Sequence, residues 1–153
     1  MSFLELKIPP VIVALATAGL SWLFSQTGPL LPFGDSTRTI IAIVALGASV
    51  GIAASAIIQF LKTRTTLNPH RPKHTASLIT TGIYRYSRNP MYLGILLALL
   101  SWAIFLGSLL ALTPLLLFVL YLTRFQIEPE ERALSVIFGQ EYTAYRRKVR
   151  RWL

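Results

Sequence analysis

No cysteine occurs among the 153 residues, which excludes a disulfide framework, a thiolate metal site and a cysteine nucleophile. Acids are scarce too: six Asp and Glu stand against fifteen Lys and Arg, for a formal net charge of +9. Charged residues of either sign make up only 14% of the chain and hydrophobic ones 54%, too apolar for an ordinary soluble domain of this length. Three stretches, 8–34, 39–61 and 89–123, carry no charge at all. Without ionisable side chains inside them, a proton relay, a voltage sensor or an ion pathway lacks its usual material, which disfavours a transporter.

Each charge-free stretch is long enough to cross about 30 Å of hydrocarbon at about 1.5 Å per helical residue. The third would reach roughly 50 Å if fully helical, so it reads as a hairpin turning near Gly107 and Ser108, with Pro114 in its second arm. The expected fold is an all-α integral membrane protein forming one domain with four transmembrane helices, 8–25, 39–61, 91–106 and 109–127. The last two form the helical hairpin, 62–90 is a cytoplasmic loop, and 128–153 is a tail. Ala14-Leu15-Ala16 loosely resembles a signal-peptide cleavage site. One acid and one base precede it instead of a basic segment, however, and the apolar run continues too far for a signal peptide. Gly47 and Gly51, followed a turn later by Ala54 and Ser55, are expected to let the second helix approach a neighbour closely.

Charge placement orients these spans. The segment 62–90 holds Lys62, Arg64, Arg71, Lys73, Arg85 and Arg88 and no acid, and the tail adds seven bases from Arg124 onward. The connection between the first two spans carries only Asp35 and Arg38, and the hairpin tip carries nothing. The positive-inside rule then puts the loop, the tail and both termini in the cytoplasm, with the spans in the cell's inner membrane. Basic proteins often bind nucleic acid, but these bases adjoin hydrocarbon-length segments, where anionic headgroups account for them, and no nucleic-acid partner is expected. No metal is expected either. His70 and His74 are spaced i, i+4, yet Pro72 lies between them, Arg71 and Lys73 would repel a cation, and no carboxylate adjoins.

Chemistry therefore belongs at the cytoplasmic rim. In "GIYRYSRNPMYLG", residues 82–94, Asn89-Pro90 opens a helix: asparagine can cap free amides while proline takes the first helical position, which leaves the positive end of the dipole at the rim. Arg85 and Arg88 add donors for a carboxylate or phosphate, and Tyr84, Tyr86 and Tyr92 offer flat apolar faces with hydroxyl tips. Composition by itself favours a plainer account, an interfacial tyrosine belt with snorkelling arginines. In the tail, Pro129, Glu130 and Glu131 fill the first turn of another helix. Leu134, Phe138, Tyr142, Tyr145, Val149 and Trp152 follow as an apolar stripe opposite Arg146, Arg147, Lys148, Arg150 and Arg151. That pattern describes an amphipathic helix lying at the interface, broken at Gly139.

Taken together, "GIYRYSRNPMYLG", a helical hairpin and "EPEERALSVIFGQEYTAYRRKVRRWL" resemble the isoprenylcysteine carboxyl methyltransferases and their relatives the phospholipid N-methyltransferases. The resemblance covers about residues 62 to 153. Its pattern is G-x-Y-x-x-x-R-H/N-P-x-Y-x-G, then a Glu-Glu pair and F-G-x-x-Y-x-x-Y. It implies an integral-membrane methyltransferase whose cofactor is S-adenosylmethionine, leaving as S-adenosylhomocysteine, with a lipophilic or lipid-linked acceptor. The residues implied for cofactor binding are Tyr84, Arg88, Asn89, Pro90, Tyr92, Gly94, Glu130 and Glu131, with Glu131 in front and Glu130 and Tyr84 behind. Gly94 would allow close approach to the helix backbone. Arg124 and Glu131 are the candidates for the chemical step, Arg124 holding an anionic acceptor. Two departures stand out. Asn89 replaces the histidine common in the eukaryotic enzymes, which leaves hydrogen bonding but no ionisable imidazole, and those enzymes have more than four spans. The C-terminal region of sterol reductases looks similar, so an NADPH-dependent membrane reductase is one rival and a non-enzymatic membrane scaffold another.

Overall fold

Prolines open most of the helices and glycines end or bend them. The computed structural model describes residues 5–62 and 77–153; among these every regular element is helical, apart from one isolated antiparallel bridge between Leu30 and Ser108. Helix α1 (Pro10–Ser25) starts on a proline whose missing amide hydrogen is not needed there. Helix α2 (Asp35–Lys62) carries an acid in its first turn and a base in its last, both favourable to its dipole. Helix α3 (Pro90–Leu106) ends where Gly107 takes a left-handed conformation at φ 76. The chain turns there, makes a 3₁₀ turn at Leu109–Leu112 and enters α4 (Thr113–Leu122). Helix α4 then runs through a π-turn, Thr123–Ile127, directly into α5 (Glu128–Lys148), which bends at Gly139, where φ 50 and ψ −117 suit glycine alone.

Two helical stretches, Asp35–Lys62 and Leu109–Lys148, are long and apolar enough to cross a membrane; α1 and α3 are apolar but shorter, at 16 and 17 residues. The core cluster lies between α3 and α4 and includes Leu99, Ala103, Leu115, Phe118 and Leu122. At one end of the bundle the 26–34 connection is pinned to the hairpin tip: the Leu31 amide donates to the Gly107 carbonyl at 2.8 Å and the Leu109 amide to Pro29 at 2.9 Å. At the other end the N-terminal residues meet the α4–α5 junction, through the Leu6 amide on the Phe125 carbonyl at 3.0 Å.

Helix α2 packs chiefly along α3, and here the expected small-residue pair is not the one used. Gly47 and Gly51 face outward, and a Cβ added at either would meet nothing within 4 Å among the described residues outside its own helix turn. Ala42, Ser49 and Ala56, spaced by seven, are the buried residues of α2 instead. Ser49 donates to the Gly94 carbonyl at 2.7 Å, and Ser101 of α3 donates to the Ala42 carbonyl at 2.7 Å. Each serine satisfies its hydroxyl across the interface, where no water competes. Position 47 is two residues from 49, about 200° around the helix, so its stripe cannot face α3 as well.

Gly94 is correspondingly a packing residue. A Cβ there would meet the Ala53 Cβ at 3.1 Å and the Ser49 carbonyl at 3.3 Å. Gly94→Leu is expected to force α2 and α3 apart at a cost of about 1–3 kcal/mol. Thermal unfolding of the purified variant in detergent checks this, and a variant as stable as the parent would contradict it.

Candidate functional site

At the end of the bundle where α2 finishes and α3 begins, a cavity of about 280 Å³ opens, close to the lower limit of roughly 300 Å³ for small-molecule pockets. Four chain segments build it: the last turn of α2, residues 77–90, the start of α3, and α5. Its aromatic walls are Tyr84, Tyr92, Tyr142 and Tyr145, and its polar groups include Arg88, Asn89, Glu130 and Glu131. Of the sequence candidates, Tyr84, Arg88, Asn89, Pro90, Tyr92, Glu130 and Glu131 line it together. Gly94 does not, because it packs on α2 one turn deeper. Arg124 does not either: its side chain is 55% exposed and pairs with Glu128 at 3.0 Å. Arg85 and Tyr86 are exposed, so one arginine of that motif enters the cavity and the other stays out. The His70–His74 pair, with Arg64, Arg71 and Lys73, lies outside the described residues.

The charges form one chain. Arg88 Nη2 lies 3.1 Å from Glu131 Oε1; Arg151 grips the same carboxylate through Nε at 3.2 Å and Nη2 at 2.8 Å, and reaches Glu128 at 3.7 Å. Glu128 in turn holds Arg124. Three guanidiniums thus face two carboxylates, and of these charges only Arg88 and Glu131 line the cavity, together with Glu130. There the Arg88 side chain is only 9% exposed, and its Nε and Nη1 are buried with no hydrogen-bond partner among the described residues. Buried unpaired donors of this kind are costly unless a ligand satisfies them.

The two acids sit in different surroundings. Glu131 is 5% exposed and held by two arginines, Oε1 by Arg88 and Arg151 and Oε2 by Arg151, so it positions both guanidiniums. Glu130 accepts a 2.7 Å bond from the Tyr92 hydroxyl on Oε1 and lines the cavity. Burial pushes the Glu130 carboxyl above the usual carboxylate range; the Tyr92 hydroxyl opposes this shift and Glu131 adds to it. Burial likewise raises the phenols of Tyr84, Tyr142 and Tyr145. These rings are therefore neutral walls.

Asn89 sits at the N-cap position, but its side chain makes no capping bond. Its amide nitrogen donates instead to the Arg151 carbonyl at 2.9 Å, while the Arg88 amide donates to the Arg150 carbonyl at 3.1 Å. The segment after α5 is thus a strap beneath the site, anchored further by Trp152 Nε1 on the Thr123 hydroxyl at 3.2 Å. The apolar stripe of α5 follows the same logic. Tyr142, Tyr145 and Val149 form a buried cluster with Leu78, Leu134 and Phe138 packed on it, and the Tyr145 hydroxyl donates to the Tyr84 carbonyl at 2.7 Å. The stripe faces the cavity and the 77–90 segment. Arg151 and Ser87 were missed from sequence: Arg151 is one of seven bases in the tail, and Ser87, fully buried, receives the Asn89 amide on its hydroxyl. A Ser two residues before an Asn-Pro step was the available signal for Ser87; none marked Arg151.

Residues 37–141, more than half of the chain, match the model of the phospholipid methyltransferase family. The chain is 40% identical over 75 residues to the protein-S-isoprenylcysteine O-methyltransferase of Schizosaccharomyces pombe and 41% identical over 78 residues to that of Saccharomyces cerevisiae. Each alignment takes in 47% of this chain and 30% of the fungal protein. It is also 49% identical over 63 residues to an uncharacterized protein of Haemophilus influenzae, covering 41% of this chain and all of that one. No solved structure matches.

Proposed function

The chain belongs to the phospholipid methyltransferase family, and on that footing we propose that it transfers a methyl group from S-adenosylmethionine to a lipophilic acceptor, an isoprenylcysteine-like carboxylate or a lipid headgroup. The protein is of the membrane methyltransferase type. In our reading all four helices α1 to α4 cross the inner membrane, both termini face the cytoplasm, and the cavity lies at the inner rim, because the basic segments flank that end.

The observation that carries the proposal is the meeting of Arg88 and Glu130 in one tyrosine-walled cavity. Arg88 in the cavity wall is a partner for the carboxylate of an amino-acid moiety, and Glu130 in the same cavity for the ammonium. The tyrosine rings supply flat apolar surface for a purine base. The bound cofactor supplies an electrophilic methyl group on a sulfonium, which loses its charge as the methyl leaves. The protein's part is to orient the two reactants and keep water out, an effect that can amount to several kcal/mol. Glu131, tied between two guanidiniums, holds Arg88 in place. Titrating the purified protein with S-adenosylhomocysteine and with NADPH tests the proposal. Saturable binding of the first and transfer of labelled methyl into the lipid fraction are expected, whereas binding of NADPH alone, or of neither, overturns it.

Glu130 sets a pH dependence. Only its ionised form attracts an ammonium, so affinity falls as pH drops through a pKa held above the ordinary carboxylate range of about 4.3. Tyr92→Phe removes the donor that opposes this shift. Its loss of S-adenosylhomocysteine binding is therefore expected at higher pH than in the parent. Equal midpoints in parallel titrations would rule this out.

A further inference from the structure

Pro129 leaves a gap in the helix one turn upstream, and a distant segment fills it. In an α-helix the Phe125 carbonyl would accept the amide of residue 129, but proline has no amide hydrogen and its ring crowds that carbonyl. The helix widens into the π-turn Thr123–Ile127, in which the Glu128 amide reaches back to the Thr123 carbonyl. The Phe125 carbonyl then takes its hydrogen from the Leu6 amide at 3.0 Å. Leu6 holds φ 58 to make this contact, a conformation that a branched side chain rarely adopts. Two further contacts flank it. The buried Gln126 donates through Nε2 to the Ile8 carbonyl at 3.0 Å, and Arg132 meets the Glu5 carboxylate at 2.7 Å, with the Glu5 side chain only 10% exposed. Four consecutive residues therefore straddle the junction from which Glu130 and Glu131 project.

We propose that residues 5–8 form a buckle that substitutes for the missing Pro129 amide, holds the π-turn in place and so sets the direction in which Glu130 and Glu131 enter the cavity. If the same residues returned to regular α geometry, everything beyond the turn would rotate by about 100° relative to α4, carrying Glu131 away from Arg88. Glu5, Leu6, Gln126 and Pro129 are positioning residues; none lines the cavity. The inference rests on the reading of that cavity as the cofactor site.

Pro129→Ala tests it, because alanine restores an amide that competes with Leu6 for the Phe125 carbonyl while favouring helix. Three quantities are measured: S-adenosylhomocysteine affinity, thermal stability, and hydrogen exchange at the Leu6 amide. The expected result is an affinity at least about tenfold weaker, a Leu6 amide that exchanges faster, and stability equal to the parent's or higher. Glu5→Arg is expected to weaken binding severalfold and Arg132→Glu, added to it, to restore most of the loss. Pro129→Ala with parental affinity, or a charge-swapped pair no better than the single variant, overturns the buckle. A parent protein that does not bind S-adenosylhomocysteine overturns the cofactor reading itself, and the positioning role with it, whatever the Leu6 amide does.

Discussion

Arg88→Ala is expected to abolish measurable binding of S-adenosylhomocysteine and to stop methyl transfer. Truncating one partner of a buried, hydrogen-bonded charge pair costs about 2–5 kcal/mol of affinity, roughly thirtyfold to several thousandfold at about 1.4 kcal/mol per factor of ten. Arg88 belongs in this class because its side chain is 9% exposed, one Nη engages Glu131, and the residue lines the cavity. Arg88→Lys separates charge from geometry: lysine keeps the positive charge but offers a single point of contact in place of a planar fork. Its affinity should fall between parent and alanine variant, by about tenfold or more. Calorimetric titration of the three proteins decides the matter, and an alanine variant that binds like the parent would remove the basis of the proposed site.

The second large effect is expected from Glu131→Ala, and it falls on folding before it falls on binding. Glu131 is the only carboxylate contacting Arg88 among the described residues, and it also receives two bonds from Arg151. Its removal leaves two guanidiniums beside each other in a largely buried place, a loss of about 3–5 kcal/mol. Since Arg151 and the carbonyls of residues 150 and 151 strap the tail to the start of α3, the tail is expected to come loose as well. Glu130→Gln is the control. It touches the cavity and Tyr92 but closes no ion pair, so it should weaken the ligand with little change in unfolding. Thermal scans of both variants in detergent, alongside ligand titration, distinguish the two. Equal stability would mean that Glu131 does not hold the network together.

Sequence patterns carried a good deal of this. Charge-free runs, Asn-Pro and Glu-Pro-Glu-Glu steps and a tyrosine-arginine motif pointed to one rim, and seven of the eight residues named for cofactor binding do line a single cavity. The failures share a cause. Gly94 and the Gly47–Gly51 pair were assigned by residue type, whereas the faces that meet depend on how α2 and α3 are rotated about their axes. Asn89 has the composition of a cap, yet its amide reaches a carbonyl sixty-two residues away. Glu130 and Glu131 are adjacent and chemically alike, and only the arginines that Glu131 meets give the two different work.

What the sequence by itself determined is what depends on local chemistry: where apolar runs allow helices, where proline and glycine start, bend or end them, and which end of the bundle gathers the positive charge. Solvent transfer and backbone sterics act over a few residues, so a linear pattern records them. Tertiary structure alone decided which of seven tail bases would grip Glu131, that the apolar stripe of α5 would wall a cavity, and that Leu6 would serve a carbonyl in the π-turn after α4. Each of those depends on residues brought together from distant parts of the chain, and their distances and angles are set by helix packing rather than by spacing along the sequence.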